Sequence, residues 1–388
     1  MSTWKVTNDM VDSLSSSKLT GALPAIDGSN LTGVSGFPDT TSANDPAINT
    51  NPAGGVGTVW TNSTSGETYV CTDATADANV WTNIGAGTGD VRSSPYGGIG
   101  AGTISGFIAS GQYQSGYSSV IQETSFSSET ETAGTTSATS TGASAGRGHV
   151  SGHASELHGF MLGGFEGPSA VKKTEWDKFP FSNPNAGMSN VSNLNVHGQF
   201  MACPTSSTHG YSMGGDGAPG GRTVIEKIAY TNDTVTNNVA NMRNNTLSTL
   251  CSAASSSTHG YAFAATEVQS MSFATEADTA AVGTCGASYG PGGGSSYTHG
   301  YILGGNNNRI EKFSFATGGN ATQAVGHEMA VTSGYYGYYS STTHSYTTGG
   351  HPPYGLATIQ KISHATDSTA TNIGNLAVAC YASAGSQH

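Results

Sequence analysis

Apolar residues in this chain come in short runs set between Gly, Ser, Thr and Asn, and several runs alternate with polar residues at a period of two. Such runs are "VIEKIAYT" from Val224, "EVQSMSFAT" from Glu267, "RIEKFSFAT" from Arg309 and "TIQKISHAT" from Thr358, with a looser copy, "TEWDKFPFS", from Thr174. Partial alternation, as of Glu226 and Ile228 against Ile225 and Lys227, predicts strands with two different faces. Each run follows a copy of one phrase. The phrase is "SSTHGYSMGG" from Ser206, "SSTHGYAFAA" from Ser256, "SYTHGYILGG" from Ser296 and "STTHSYTTGG" from Ser341, with a looser "SELHGFMLGG" from Ser155. Its histidines, His158, His209, His259, His299 and His344, are 51, 50, 40 and 45 residues apart. A third segment recurs as "VANMRNNTL", "AVGHEMAVT" and "NIGNLAVAC", and leads through small residues into the next phrase. Each unit therefore offers three or four short strands, and a period of about 40–50 residues is that of a propeller blade.

Upstream, "SGFIASG" (Ser105 to Gly111) reads as a sixth copy, with "SVIQETSFSS" as its second strand. The final "CYASAGSQH" matches "CSAASSSTH" and stops at His388, where the pattern would continue with Gly106-Phe107. The expectation is an all-β fold: a six-bladed β-propeller over roughly 104–388, its ends meeting so that no sheet edge stays open. In this reading the phrase forms each blade's first strand. The glycine pairs Gly214-Gly215, Gly304-Gly305 and Gly349-Gly350 would end that strand where the axis is crowded and φ is positive. The Tyr of "HGY" and the Phe of "KFSFAT" would pack between neighbouring sheets. Histidines at equivalent blade positions lie too far apart to share one ion, so a turn-forming structural role is expected for them, and no metal site.

Of 388 residues, 55 are Gly, about twice the usual share, and only 10% are charged. Low charge with high Gly often means disorder, but 17 Tyr, 12 Phe and 4 Trp spread along the chain imply an ordered, turn-rich β protein. The formal charge of -12, with no Lys or Arg cluster, disfavours binding to nucleic acid. No apolar run is long enough for a membrane helix, and "MSTWKVTND" lacks a signal-peptide core. Five cysteines preclude complete pairing. Cys203, Cys251 and Cys380 fall at similar places in different units and read as small buried hydrophobes.

Residues 1–103 have another texture. "VWTNSTSGETYVCTDATADANVWTNIG" sets Trp60 and Trp81 on either side of a hairpin-like segment, with turns at "NSTSGE" and "ATADAN". The expected organisation is an attachment and oligomerisation segment over 1–50, a small β module over 51–85, a Gly-rich linker over 86–103, and the repeats over 104–388. "KLTGALPAIDGSNLTGV" together with the Trp60–Trp81 block resembles the N-terminal half of tail-fibre and other appendage proteins of cyanophages and related bacteriophages. The repeat is similar to the Kelch-like repeats carried by virion proteins of the same phages. The resemblance spans almost the whole chain, although the unit from Ser256 lacks the glycine pair. It implies a structural virion protein, a tail fibre or spike displayed outward on the particle and docked on other tail, neck or capsid proteins through the N-terminal segment. It further implies a homotrimer and a host surface glycan or receptor as partner. A capsid decoration or neck protein without receptor binding is the alternative.

Ligand contact is best sought in "SGYYGYYSSTTHSY" and "HPPYG", at Tyr335, Tyr336, Tyr338, Tyr339, His351 and Tyr354. Alternating Tyr is also what packing between blades would use. Catalysis is not expected. The acids Glu226, Glu311, Asp233 and Asp278 sit at repeat-equivalent strand positions or in turns, so they do not form the facing pair a glycosidase needs. No nucleophile elbow, zinc motif or phosphate loop occurs. A glycan-active enzyme on a propeller scaffold is thus the remote third reading, and no cofactor is expected.

Overall fold

The computed structural model describes residues 38–84 and 104–388, apart from 114–115, 138–145, 167–170, 218–222, 244–251, 289, 306, 324–326, 352–354 and 367. Most of the expected attachment segment and the whole of the expected linker lie outside the described residues. The chain divides into two compact units, 1–91 and 92–388. In the first, a four-stranded sheet runs in the order Thr40–Ser42, Val59–Asn62, Thr68–Asp73, Val80–Asn83. Its first strand pairs in parallel with the second, so the sheet begins ahead of the 51–85 read from the sequence. Tyr69, Cys71 and Trp81 form its buried core, and Trp60 meets Trp81 edge to face at 6.0 Å. The Tyr69 hydroxyl donates to Glu67.

The second unit is all-β, and among the described residues it holds eight antiparallel sheets. Six repeat one plan and are numbered I to VI here in chain order; the two smaller ones are Arg147–Gly148 with Phe165–Glu166 and Val171–Lys172, and Gln112–Tyr113 with Gly116–Tyr117. Sheet VI shows the full plan: Gly337–Ser340, His344–Thr348, Thr358–Ser363 and Thr371–Asn375, side by side in sequence order. Sheet II repeats it with Ser151–Ala154, His158–Leu162, Glu175–Pro180 and Ser189–Asn193. The "HGY" phrase is therefore the second strand of its sheet. The run of small residues before it, read as a lead-in, is itself a strand: "SAAS" at Ser252–Ser255, "GGGS" at Gly292–Ser295. In sheet III the same place is held by the bridges Ala202–Met213 and Thr205–Gly210.

The glycine pairs follow this second strand. All of them are left-handed, with φ of 60° and 88° at Gly214-Gly215, 66° and 101° at Gly304-Gly305, and 68° and 118° at Gly349-Gly350. Side chains rarely adopt such angles. Gly163-Gly164 and Ser110-Gly111 do the same in sheets II and I. In the unit that has Ala264-Ala265 there, no break occurs, and one strand runs from His259 to Ser272.

Neighbouring sheets are joined by three contacts that recur from unit to unit. The first is aromatic: the ring of the "HGY" strand stacks on the ring that ends the third strand of the following sheet. The pairs are Phe107–Phe181, Phe160–Tyr230, Tyr211–Phe273, Tyr261–Phe315 and Tyr301–His364, with centroids 4.8–5.6 Å apart. A sixth pair, Phe126–Tyr346 at 5.2 Å, joins sheet VI to sheet I. The second contact is a buried Glu or Gln that accepts the backbone N–H of the segment arriving from the preceding sheet. The bonds are Asn195 to Glu226 (2.7 Å), Arg243 to Gln269 (3.2 Å), Gly286 to Glu311 (2.8 Å), Val331 to Gln360 (2.8 Å) and Val378 to Gln122 (2.8 Å). In sheet II the shorter Asp177 stands there and is paired by the buried Arg147. Burial raises the Asp177 pKa. The third contact is an ion pair from the lysine after that acid to the next sheet: Lys178–Asp233 at 2.5 Å, Lys227–Glu276 at 2.7 Å, and Lys361–Glu129.

Glu226 and Glu311 thus recur because an arriving N–H needs an acceptor, and either an amide or a carboxylate serves. Glu226→Gln is expected to change the urea midpoint little, since Gln makes the same bond at 122, 269 and 360. Glu226→Leu, which orphans a buried N–H, is expected to cost about 2 kcal/mol. Equal stability of the two variants would show the bond to be dispensable.

The final strand, Ala384–Gln387, pairs antiparallel with Ser105–Ala109 and completes sheet I. Its register differs from the sequence match. Gln387 lies opposite Gly106, as Ser340 lies opposite Ser345. His388 therefore falls at the place of the turn serine, Ser341, and the place of the repeat histidine is taken by Ser105. The hydrogen bonds agree: His388 N donates to Ser105 O as Ser341 N donates to His344 O. His388 instead stacks on Phe181 at 5.0 Å.

Candidate functional site

Two residues before the first strand of five of the six sheets, the backbone turns left-handed. The positions are His149 (φ 58°), Phe200 (53°), Gly290 (68°), Tyr335 (57°) and Ala382 (53°), in sheets II, III, V, VI and I. The equivalent residue in sheet IV is Leu250, outside the described residues. These turns bond to one another from sheet to sheet. Phe200 N donates to His149 O, Tyr335 N to Gly290 O, Ala382 N to Tyr335 O, and Val150 N to Ala382 O. Left-handed backbone at a bulky aromatic costs of order 1 kcal/mol and is found where the surroundings enforce it. Here the cross-sheet bonds enforce it, and the result is that His149, Phe200 and Tyr335 bring their rings together at one end of the inner strands.

The rings form a continuous cluster. Centroids are 4.5 Å apart for His149–Phe200, 5.6 Å for Phe200–Tyr335, 5.9 Å for Tyr335–His351, 6.2 Å for Tyr335–Tyr381 and 5.1 Å for His351–Tyr381. His149, Phe200, Tyr335 and His351 are half-buried, leaving ring surface to solvent. His149 Nδ1 lies 3.0 Å from the amide oxygen of Gln199, so Nδ1 donates, and Gln199 in turn donates to Asp216 at 2.6 Å. Burial lowers the His149 pKa. Beneath the cluster is a partly open cavity of about 30 Å³, lined by residues of five sheets, among them Val150, Ser151, Phe200, Met201, Tyr335 and Ser383. The lining contains no charged side chain. Tyr338 spans the cavity wall, passing over Gly293, and its hydroxyl accepts the Ala253 N–H at 3.2 Å.

Of the residues expected to meet a ligand, Tyr335, Tyr336 and Tyr338 line this cavity and His351 joins the ring cluster. Tyr336 is turned inward: it is 4% exposed, its hydroxyl bonds Val331 O, and burial pushes its pKa up to about 12. Tyr339 is fully buried, bonded to Thr124 Oγ1 at 2.6 Å and stacked on Tyr346, so it packs between sheets VI and I and is withdrawn as a ligand contact. Tyr354 lies outside the described residues. The sequence reading missed His149, Phe200 and Tyr381. Phe200 stands at the same offset from His209 as Tyr335 from His344, which was the available signal.

The repeat histidines are at the other end of the inner strands, in the hairpin turn. Ser206 Oγ accepts the His209 N–H (3.0 Å), and Thr208 Oγ1 lies 2.8 Å from His209 Nδ1. His259, His299 and His344 are held in the same way. The His158 N–H likewise donates to Ser155 Oγ. Desolvation lowers the pKa of His158, His209, His259 and His344. Cys71, Cys203, Cys285 and Cys380 are buried, and burial pushes the Cys285 thiol up to about 12. Cys251 is outside the described residues. Among the described residues no cluster of His, Cys, Asp and Glu could hold a metal ion. No protein-family model matches the chain, and no curated protein matches it.

Proposed function

We propose that residues 104–388 form a closed six-bladed β-propeller, and that the protein is a structural component of a bacteriophage particle, a tail fibre or spike, whose aromatic cluster contacts host-surface glycan. Support for the propeller comes from the cross-sheet contacts, which run from sheet I to VI and return to sheet I through Phe126–Tyr346, Lys361–Glu129 and Val378–Gln122. The observation that carries the adhesive reading is the set of left-handed turns that gathers His149, Phe200 and Tyr335 over a cavity without charge. A core has no use for aromatic rings held half-exposed in unfavourable backbone, whereas a sugar offers C–H faces to stack on them and hydroxyls to bond at the rim. The N-terminal residues would dock on other virion proteins and hold the chain as a homotrimer.

The test is binding of the purified full-length chain to a glycan array, with Phe200→Asn and Tyr335→Asn combined as the variant, because Asn tolerates left-handed φ. The wild type is expected to bind a limited set of glycans, and the variant to lose at least ~10-fold in affinity with its unfolding temperature kept within a few degrees. A blank array with folded wild type would remove the adhesive reading and leave a particle protein without receptor binding.

A further inference from the structure

Among the buried features described, the cavity beneath the ring cluster is the one whose chemistry selects a ligand. It rests on the adhesive reading above. We propose that this mouth takes an uncharged N-acetylated hexose, its pyranose face over Phe200 and Tyr335 and its acetamido group in the cavity.

Size is the first argument. A cavity of about 30 Å³ has room for roughly two water-sized groups. That is the bulk of an acetamido methyl and carbonyl, and too little for a whole sugar ring. The lining is the second. It mixes the apolar Val150 and Met201 with the hydroxyl-bearing Ser151 and Ser383, a mixture that suits an amide. Charge is the third. With no ionised side chain in the lining and a formal charge of -12 on the chain, a carboxylate, sulfate or phosphate would enter without a counter-charge and against the overall field. A free amine would be desolvated with nothing to pair it. An acetylated amine avoids both penalties. The rings supply the fourth argument. Phe200 and Tyr335 are 5.6 Å apart and inclined at 56°, so one pyranose can lean on both while its substituent drops between them.

The experiment compares four trisaccharide-sized probes on the full chain by calorimetry and saturation-transfer NMR: the N-acetylglucosamine trimer, its de-acetylated amine form, cellotriose and a sialylated lactose. The N-acetylated trimer is expected to bind at least about ten-fold more tightly than the other three, with the strongest saturation on its acetyl methyl. Val150→Met, which fills the cavity from its wall, should erase that preference while leaving the weaker stacking affinity. Equal or tighter binding of cellotriose, the amine or the sialylated sugar overturns the acetamido assignment and leaves glycan adhesion standing. An acetyl preference that survives Val150→Met also overturns it, because the methyl then sits elsewhere. No binding by any probe, together with a blank glycan array, takes down both.

Discussion

Gly385→Val is expected to destabilise the large unit by about 3–5 kcal/mol, the range of severe overpacking. Gly385 lies in the strand Ala384–Gln387 that completes sheet I, and a Cβ there would fall inside the Tyr338 backbone, against its carbonyl oxygen and nitrogen. Neither group can yield, because the inner strands of sheets VI and I are each fixed by a full ladder to the strand outside them. At roughly 2–4 °C per kcal/mol for a domain of this size class, the unfolding temperature should fall by about 10 °C. Gly374→Ala is the matched control. A Cβ at Gly374 meets nothing within 4 Å, and the substitution removes freedom from the unfolded chain, so it should be neutral or stabilising by up to ~1 kcal/mol. Calorimetry on both variants is sufficient. If Gly385→Val melts with the wild type, the inner strands of sheets I and VI are not in contact, and the proposed ring is open there.

Acidification should weaken the fold steeply, and His153 should dominate the loss. Its ring is fully buried, stacks on Phe160 at 4.5 Å and accepts the Trp176 indole N–H on Nε2 at 2.9 Å. Nδ1, 3.3 Å from the Tyr230 hydroxyl, then carries the proton. A second proton has nowhere to go, and desolvation holds the pKa down to about 3. The folded state therefore binds fewer protons than the unfolded chain between the ordinary histidine value near ~6.5 and about 3. The stabilisation is complete above ~6.5 and is lost as pH falls below it, at up to ~1.4 kcal/mol per pH unit, or about 3 kcal/mol by pH 4. Burial lowers His149, His158, His209, His259, His344 and His388 as well, which adds to the same trend. Asp177, raised by burial, opposes it. His153→Phe should be less stable than wild type at pH 8, having lost the acceptor for Trp176, yet show a visibly shallower decline between pH 6.5 and 4. Parallel declines in the urea midpoint would mean that His153 does not carry the acid sensitivity.

The sequence exposed what the repeat demands of every unit. In an extended run such as "IEKF", Glu311 and Phe313 share one face and Ile310 and Lys312 the other. Phe313 and Ile310 enter the cores on either side of the sheet, so the strand Ile310–Ser314 follows from local pattern. The glycine pairs are legible for a similar reason, since left-handed turns at Gly304-Gly305 exclude almost every other residue. The phrase with its Tyr was equally plain, and Tyr261 does stack on Phe315 of the next sheet. What the residues alone hid are the features that only a neighbour creates. Gly292–Ser295 reads as loop, because a glycine run has no strand propensity of its own. It is a strand because it pairs with the "HGY" strand beside it, and it is glycine because a Cβ at Gly293 would collide with the backbone of Ala253 in the adjoining sheet. Four tyrosines in "GYYGYY" look alike in sequence, yet Tyr339 is sealed between two sheets while Tyr335 reaches solvent. That division depends on a left-handed turn at Tyr335, held by a carbonyl of Gly290 from another sheet. The sequence by itself determined the repeating strands, the turns between them and the rings that stack from sheet to sheet, because hydrophobic period and glycine geometry act within a few residues. Tertiary structure alone decided the first strand of each sheet, the register of His388 and the meeting of His149, Phe200 and Tyr335, because each depends on a distance between residues some 40 or more positions apart in the chain.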